Sequence, residues 1–332
     1  MPALPKIGII LTGGTIDSAG KDRLDLAWYI EANKRIDSTE LLGRMPELSG
    51  IADVREIPFR RLPSQALTDK DWFDLVRTIQ NSLEDLDGIV ITHGTNTLEE
   101  TAYFLHLTLK TTKPVVLVGA MRPSSAVSAD GYLNVINAVR TAAAKESRGL
   151  GCLVVMNDTI FSARDVTKNS TYRVEAFQSR DVGPLGFADG DGRIIYYHHP
   201  LKLHTTKTAF RVDAIEALPR VDLVVSYVGA DGAMIEAAAK AGAEGIVSAA
   251  TGAGRPTPAE DAMFDQMHEA SGLIMCLCSR IASGRTVRSP GLRKRGFVAG
   301  DNLQPWKARI LLALALTQTR DPDAIQNIFD TH

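Results

Sequence analysis

Residues 7–15 read IGIILTGGT, an apolar run that ends abruptly in a glycine-rich turn bearing two threonines. The arrangement returns in residues 88–97, GIVITHGTNT, and again in residues 115–125, VVLVGAMRPSS. Short runs that are apolar throughout are typical of strands buried on both faces of a parallel sheet. We therefore expect a sheet whose successive strands each end in a polar turn.

Helical patterns separate these runs, with apolar residues such as Trp72, Val76 and Ile79 recurring at the spacing of one helix face. The predicted helices of this region span residues 69–86, 98–109 and 132–144, and a further strand spans residues 152–156. Alternation of strand and helix predicts a mostly parallel sheet flanked by helices. We assign residues 1–197 to this larger N-terminal catalytic α/β domain.

The pattern lapses in residues 198–219, a polar stretch with Pro200 and Pro219 that we interpret as a linker. Strands and helices then resume. The predicted strands are residues 223–228, 245–248 and 273–277, and the predicted helices are residues 232–241, 258–270, 306–317 and 322–329. Residues 220–332 are therefore expected to form a smaller C-terminal α/β domain with its own parallel sheet.

The charge balance excludes several classes of partner. The 332 residues include 37 lysines and arginines against 39 aspartates and glutamates, a formal net charge of −2 at pH 7. Such a chain has no overall attraction for nucleic acid or for an anionic membrane surface. No apolar run approaches the ~20 residues of a membrane span, and residues 7–11 are too few for the core of a secretory signal. A small-molecule partner is expected.

The three cysteines, Cys152, Cys276 and Cys278, all lie in apolar runs. An odd number of cysteines in such runs indicates reduced thiols in the core and hence a cytoplasmic protein. Their spacing, with no histidine nearby, argues against a zinc site. His198, His199 and His204 lie in the linker without acidic or cysteine partners at ligand spacing. We interpret these histidines as surface residues and expect no metal.

Three polar clusters, residues 12–15, 92–97 and 119–125, fall at the predicted carboxyl ends of strands, where open α/β sheets bind their ligands. A threonine hydroxyl in such a turn can serve as a nucleophile when a neighbouring group takes its proton. Simpler explanations exist: a tight or phosphate-binding turn for the first cluster and a helix N-cap region for the second. Lys168, in the polar stretch Arg164-Asp-Val-Thr-Lys168, can likewise be explained as a solvated surface lysine.

A series of short motifs runs through the whole chain. They are ILTGGTI at residues 10–16, PSQ at 63–65, ITHGTNTLEETAYFL at 91–105, GAMRP at 119–123, VMNDT at 155–159, RDVTK at 164–168, GIVS at 245–248, KAR at 307–309 and ALTQT at 315–319. Together they resemble the bacterial L-asparaginase family, the asparaginase/glutaminase amidohydrolases. The resemblance implies hydrolysis of L-asparagine to L-aspartate and ammonia without any cofactor.

The resemblance also implies catalytic roles for individual residues. Thr15 would be the nucleophile that forms an acyl-enzyme with the side-chain amide carbon of the substrate. Tyr29 would lie near this nucleophile on a flexible lid over the site. Thr95 and Lys168 would form a second pair that assists proton transfer or activates the water that releases the acyl group.

For substrate binding, the resemblance implies that Ser64 and Gln65 hold the α-carboxylate of the amide. Directly after the second catalytic threonine, the family usually has an aspartate that pairs with the substrate's α-ammonium. This chain has Asn96 at that position. The resemblance further implies a homotetramer, a dimer of dimers, in which a neighbour's glutamate completes each site. The corresponding stretch here, residues 281–300, has no acidic residue and five basic ones, and Arg255 replaces a usual asparagine.

These departures leave three interpretations open. In the first, the chain hydrolyses asparagine, with Asn96 and an unassigned carboxylate such as Glu260 or Asp261 meeting the ammonium. In the second, it acts on a different carboxylate-bearing amide, one that lacks an α-ammonium or carries a second acidic group bound by Arg288 or Arg255. In the third, it binds a small acid without hydrolysing it, although the retention of both threonines and the lysine argues against this.

Overall fold

The computed structural model describes residues 3–32 and 34–332. The chain divides into two compact units, one ending at Thr208 and the other beginning at Ala209. This boundary falls within residues 198–219, the predicted linker. In the part of the chain that the structure describes, no helix has both the length and the apolar character needed to cross a bilayer.

The first unit contains a large sheet flanked by helices. Its strands are β1 (Lys6–Leu11), β2 (Ser18–Ala19), β3 (Lys34–Arg35), β4 (Asp53–Ile57), β5 (Gly88–Thr92), β6 (Val115–Val118), β7 (Cys152–Met156), β8 (Thr159–Ser162), β9 (Thr167–Lys168), β10 (Phe177–Gln178), β11 (Gly186–Ala188) and β12 (Ile194–Tyr196). Its helices are α1 (Tyr29–Ala32), α2 (Ser38–Gly43), α3 (Asp69–Ser82), α4 (Leu98–Thr108) and α5 (Gly131–Ala143). The strand order of the large sheet is β12-β11-β8-β7-β6-β5-β1-β4. The strands from β7 to β4 are parallel, which confirms the predicted mostly parallel sheet.

Burial on both faces explains why the central strands are apolar throughout. Ile9 of β1 belongs to a core that also contains Val90 of β5 and Val139 of α5. The next residue, Ile10, points to the opposite face of the sheet and is also completely buried. Helix α4 packs against β7, and its Phe104 is fully buried.

The register of the parallel strands brings their polar turns to one edge of the sheet. Leu11, the last residue of β1, pairs with Thr92 at the end of β5, and Thr92 pairs with Val118 at the end of β6. Because these strands run in one direction and end level with each other, the turns that follow them lie side by side. The topology therefore gathers the polar clusters of the sequence.

The sheet is wider than the sequence predicts. Strand β4 adds to β1 at one edge, and β8, β11 and β12 extend the other edge with antiparallel pairing. The β4 sequence, Asp53-Val-Arg-Glu-Ile57, is too polar for a buried strand and forms an edge strand that is mostly exposed or half-buried. Strands β8, β11 and β12 have only three or four residues each, too few for periodicity to identify.

One linker histidine differs from its predicted environment. His198 and His199 are exposed, as expected, but His204 is only 4% exposed. The His204 ring centroid lies 4.9 Å from that of His106 in α4, and His204 Nδ1 lies 3.0 Å from the Thr205 hydroxyl. The interpretation of His204 as a surface residue was wrong, because a polar stretch of sequence does not reveal which of its side chains folds back onto a helix.

The second unit has a smaller, fully parallel sheet. Its strands are β13 (Val221–Val225), β14 (Gly245–Ala250), β15 (Ile274–Ser279) and β16 (Val298–Ala299), and its helices are α6 (Ala233–Lys240), α7 (Pro258–Ser271), α8 (Pro290–Lys294), α9 (Pro305–Leu316) and α10 (Pro322–Thr331). The strand order is β13-β14-β15-β16. Ile246, Met275 and Phe297 form part of a core that includes Phe264 of α7. The predicted C-terminal parallel-sheet domain is thus confirmed.

Candidate active site

Two glycines bring the turns after β1 and β5 into direct backbone contact. A Cβ atom on Gly14 would lie 2.7 Å from the Gly94 Cα and 2.8 Å from the Gly94 nitrogen. Gly14 also has a φ of 111°, which residues with side chains rarely adopt. The Thr12 hydroxyl donates a 2.8 Å hydrogen bond to the Thr92 carbonyl and joins the same two turns. The chain segments that carry Thr15 and Thr95 are therefore held together.

The segment after β4 joins this contact. A Cβ atom on Gly94 would lie 2.8 Å from the Ser64 hydroxyl oxygen, so the serine packs directly against the second turn. The Thr97 hydroxyl donates a 2.8 Å hydrogen bond to the Ser64 carbonyl. Ser64 is only 4% exposed. Three separate motifs of the sequence thus meet at one edge of the sheet.

Thr95 and Lys168 form a hydrogen-bonded pair. The Lys168 ammonium donates to the Thr95 hydroxyl oxygen at 2.8 Å, and the Thr95 side chain is buried. Burial lowers the pKa of the Lys168 ammonium, while the negative charge of Glu99 acts in the opposite direction and raises it. A lysine whose pKa is lowered has a larger neutral fraction at neutral pH, and only the neutral amine can accept a proton.

Glu99 fixes the backbone that carries this lysine. One of its carboxylate oxygens accepts a 2.9 Å hydrogen bond from the Lys168 backbone N–H and a 3.3 Å bond from the Thr167 hydroxyl. Glu99 lies in the first turn of α4, four residues after Thr95, and is only 5% exposed. No local pattern of the sequence indicates this role, because an acidic residue in the first turn of a helix ordinarily indicates interaction with the helix dipole.

Thr15 has a hydroxyl partner of its own. Its Oγ1 lies 2.9 Å from the Tyr29 phenol oxygen, at the start of the short helix α1. Burial raises the pKa of Tyr29, although its hydrogen bond to Thr15 lowers it in part, so the phenol is neutral at physiological pH. The preceding residue, Trp28, is 66% exposed. The structure thus places the Tyr29 phenol within hydrogen-bonding distance of the Thr15 hydroxyl.

The residues predicted to bind substrate also lie together. Asn96 Nδ2 donates a 3.4 Å hydrogen bond to Gln65 Oε1, and both side chains are exposed. Asn96 follows Thr95 and Gln65 follows Ser64, so each exposed amide sits next to a buried hydroxyl of the same turn. This arrangement gives the site an uncharged polar surface at the position of Asn96.

His93 lies in the second turn but is not a base at neutral pH. Complete burial lowers its pKa to about 4, only partly offset by the contact of its Nδ1 with the Gly94 carbonyl at 2.8 Å. The neutral imidazole therefore donates from Nδ1 to that carbonyl. This bond supports the backbone of the turn on which Thr95 lies.

The arginines proposed to determine specificity belong to the second unit. The Arg288 guanidinium donates to the Asp323 carboxylate at 2.5 Å and to the Phe297 carbonyl at 2.5 Å. The backbone N–H of Arg255 donates a 2.8 Å hydrogen bond to the Thr251 carbonyl, and its side chain is exposed. Arg288 is thus already engaged by a carboxylate of its own unit.

The two carboxylates considered as partners for a substrate ammonium are engaged as well. Glu260 is 1% exposed and accepts a 2.9 Å hydrogen bond from the Thr257 backbone N–H in the capping box of α7. Asp261 forms an ion pair with Arg295 at 2.8 Å. Over residues 3–32 and 34–332, no group of three or more histidine, cysteine and acidic residues is arranged to hold a metal ion.

Comparisons with known proteins agree on one family. A family model described as "Asparaginase, N-terminal" matches residues 6–202, and one described as "Glutaminase/Asparaginase C-terminal domain" matches residues 220–329. L-asparaginase 2 of Escherichia coli (strain K12) is 44% identical to this chain, with 99% of this chain and 94% of that protein covered. The glutaminase-asparaginase of Acinetobacter glutaminasificans is 39% identical, with 97% and 98% covered.

A solved structure extends the similarity to the fold. The crystal structure of a probable cytoplasmic L-asparaginase from Campylobacter jejuni matches with a TM-score of 0.89 and 38% sequence identity. The match covers 99% of this chain and 100% of that chain. The similarity therefore includes both units.

Proposed function

The chain belongs to the asparaginase family of amidohydrolases, and we propose that it hydrolyses L-asparagine to L-aspartate and ammonia through an acyl-enzyme on Thr15. The observation that carries this proposal is the contact between Gly14 and Gly94, which joins the turns bearing the Thr15–Tyr29 and Thr95–Lys168 pairs. Each pair supplies a hydroxyl with a partner able to exchange its proton. Two such pairs suit a reaction with two proton-coupled steps.

In the first step, the Thr15 oxygen attacks the side-chain amide carbon of the substrate. The Thr15 proton passes through the neutral Tyr29 hydroxyl toward the amide nitrogen, which leaves as ammonia. The carbonyl oxygen becomes an oxyanion, which backbone N–H groups of the glycine-rich turns can stabilise, each donor contributing roughly 2.7–4 kcal/mol in related chemistry. The product of this step is an ester between Thr15 and the substrate acyl group.

In the second step, water attacks that ester. The neutral fraction of Lys168 accepts a proton through the Thr95 hydroxyl as water adds to the acyl carbon. The carbon–oxygen bond to Thr15 then breaks, the proton taken up by Lys168 is delivered to the departing Thr15 oxygen, and the acid product leaves. The lowered pKa of Lys168 supports this role, since an ordinary lysine would be almost entirely protonated at neutral pH.

Substrate binding is assigned to the residues beside the two pairs. Ser64 and Gln65 hold the α-carboxylate, and Asn96 faces the rest of the amino-acid head group. We further propose that the protein acts as a cytoplasmic homotetramer, in line with its buried thiols and with the C. jejuni relative described as cytoplasmic.

A second candidate function has a specific observation in its favour. Asn96 is neutral and donates to Gln65, while Glu260 and Asp261 are both engaged within their own unit. A substrate ammonium would thus lack the carboxylate partner that it usually requires, and a lost charged hydrogen bond costs about 1.5–3 kcal/mol. The alternative substrate is a carboxylate-bearing amide without an α-ammonium, or one with a second acidic group.

Ammonia release by the purified protein tests these proposals. Asparagine, glutamine, succinamate and N-acylated asparagine are compared by kcat/KM, and efficient asparagine turnover would exclude the altered substrate. Addition of hydroxylamine traps an acyl-enzyme as the hydroxamate, so hydroxamate formation that is lost in Thr15→Ala identifies Thr15 as the nucleophile. Binding of a small acid with no ammonia release from any of these amides would instead indicate a non-catalytic binding protein.

A further inference from the structure

Asp17 is a buried carboxylate without a hydrogen bond, two residues after the proposed nucleophile. It ends the short turn Thr15–Asp17 and is 1% exposed. Neither of its carboxylate oxygens accepts a hydrogen bond from any residue that the structure describes. Buried polar groups in proteins are nearly always hydrogen-bonded, so such a group calls for an explanation.

Two arginines from different segments approach this carboxylate. Arg61 Nη1 lies 3.6 Å and Arg35 Nη1 lies 3.9 Å from Asp17 Oδ2. Arg35 is on β3, which pairs with β2 on the other side of the segment that carries Tyr29. Arg61 lies three residues before Ser64 in the sequence. The Asp17 carboxylate therefore lies between three segments. They are the turn that carries Thr15, strand β3 at the end of the Tyr29 segment (the base of that segment), and the residues that lead to Ser64.

The backbone reinforces the same junction. The Ile36 N–H donates a 2.9 Å hydrogen bond to the Asp17 carbonyl, and Arg61 Nη1 donates a 3.1 Å hydrogen bond to the Ile36 carbonyl. The Arg35 guanidinium also packs against the glycine-rich turn, since a Cβ atom on Gly13 would lie 2.9 Å from its Nη1. The ion cluster is thus in contact with the turn that leads to Thr15.

We propose that Asp17 is a positioning residue, which holds the base of the Tyr29 segment and Arg61 against the Thr15 turn so that the Tyr29 hydroxyl stays beside Thr15. The inference rests on the proposed function, in which the Thr15–Tyr29 pair carries the first step. Charge attraction at 3.6–3.9 Å holds the two arginine-bearing segments near Asp17 without direct hydrogen bonds to its carboxylate.

The electrostatics of the site distinguish this role from a purely structural one. Burial raises the pKa of the Asp17 carboxyl, although the charges of Arg35 and Arg61 act to lower it. Because the pKa is higher in the folded protein than in the unfolded chain, keeping this carboxylate ionised beside the two arginines costs stability at neutral pH. A buried charge that costs stability can still serve to position the site, and replacing Asp17 by its neutral isostere separates the two effects.

The test compares Asp17→Asn with the wild-type protein in three measurements. We expect kcat to fall about tenfold or more through misplacement of Tyr29, with the unfolding temperature unchanged or raised. We also expect stronger acrylamide quenching of Trp28 fluorescence. The Trp28 contribution is isolated by subtracting the fluorescence of a Trp28→Phe variant, made both in the wild-type protein and in Asp17→Asn. Asp53→Asn removes a carboxylate of an exposed ion pair with Arg55 and should change none of the three.

The positioning role would be overturned if Asp17→Asn kept the wild-type kcat. It would also be overturned if kcat fell together with the unfolding temperature. The quenching measurement needs no turnover, so it tests Asp17 even if asparagine is not the substrate. If Asp17→Asn does not fold, Arg35→Gln provides the same test, since the Arg35 side chain is 33% exposed and can be replaced at low cost to packing. Unchanged kcat and quenching in Arg35→Gln would likewise contradict the proposal.

Discussion

The Lys168 ammonium nitrogen lies 2.8 Å from the Thr95 hydroxyl oxygen, a contact between residues 73 positions apart in the sequence. Burial lowers the pKa of this lysine, and the carboxylate of Glu99, which also binds the lysine's backbone N–H, raises it. The site therefore balances two opposing influences on one proton. A mutation that changes either the burial of Lys168 or the charge of Glu99 should therefore change the pKa of Lys168.

Replacing Lys168 by methionine should nearly abolish hydrolysis. The variant keeps the length of the side chain but removes the amine that we propose accepts a proton through Thr95, and general base catalysis is worth roughly 10²–10⁴-fold. We expect kcat for ammonia release to fall by that factor, with the unfolding temperature little changed. Lys240→Met, which removes a lysine from an exposed pair with Glu236 on α6, should leave kcat intact.

Replacing Glu99 by glutamine should move the pH profile. Glutamine keeps a carbonyl oxygen for the Lys168 N–H but removes the negative charge that raises the lysine pKa. The pKa of Lys168 then falls further, its neutral fraction at a given pH increases, and the acid limb of kcat/KM against pH shifts to lower pH. Glu84→Gln, at an exposed position, should leave the limb where it is. A shift to higher pH in Glu99→Gln would show that Lys168 does not act as a base.

Much of this site could be predicted from the sequence, because its main determinants are local. The apolar runs at residues 7–11 and 88–92 define buried parallel strands, and strands of that kind bring the polar turns behind them to one edge. The position of these turns follows from that pattern. The roles proposed for Thr15, Thr95 and Lys168 come instead from the resemblance to the asparaginase family, because the local sequence fits an N-cap region and a solvated surface lysine equally well. The close approach of Gly14 to Gly94 follows from the same topology.

The remaining features depend on tertiary contacts that no local pattern records. Strand β9, which carries Lys168, has only two residues and is defined by its pairing with β10. Glu99 and Asp17 look like ordinary acidic residues of a first helical turn and of a loop, and only burial reveals their charges as unusual. The burial of His204 beside His106 is equally invisible, since 98 positions separate the two residues in the sequence.

Removing the Tyr29 hydroxyl should slow the first chemical step. In Tyr29→Phe the Thr15 oxygen loses its 2.9 Å partner, so proton transfer away from the nucleophile becomes less efficient. We expect the single-turnover rate of acyl-enzyme formation to fall about 10²-fold, while ligand affinity and stability stay close to wild type. Tyr197→Phe, at a 69% exposed position, is the matched control and should leave this rate unchanged. A normal rate in Tyr29→Phe would remove the phenol from the mechanism.

A methyl group on Gly14 should separate the two catalytic turns. In Gly14→Ala the new Cβ would lie 2.7 Å from the Gly94 Cα, and φ of 111° is already strained for alanine. We expect urea unfolding to show a loss of about 1–3 kcal/mol in the free energy of unfolding. We also expect kcat for ammonia release to fall, because the two turns no longer meet. Gly149→Ala isolates the backbone strain, because Gly149 has φ of 77° with no atom within 4 Å of its Cβ position. Its kcat should remain that of the wild type.

Restoring an acidic residue at position 96 should favour substrates that carry an ammonium. Asn96→Asp places a carboxylate beside Gln65, where the neutral amide now donates its hydrogen bond. A charged hydrogen bond contributes about 1.5–3 kcal/mol, so the ratio of kcat/KM for asparagine to that for succinamate, which lacks the α-ammonium, should rise about tenfold or more. Asn81→Asp adds the same charge at an exposed position of α3 and should leave the ratio unchanged. If the ratio for Asn96→Asp also stays constant, the side chain at position 96 does not face the substrate ammonium, and the discrimination between amides must be made by other residues.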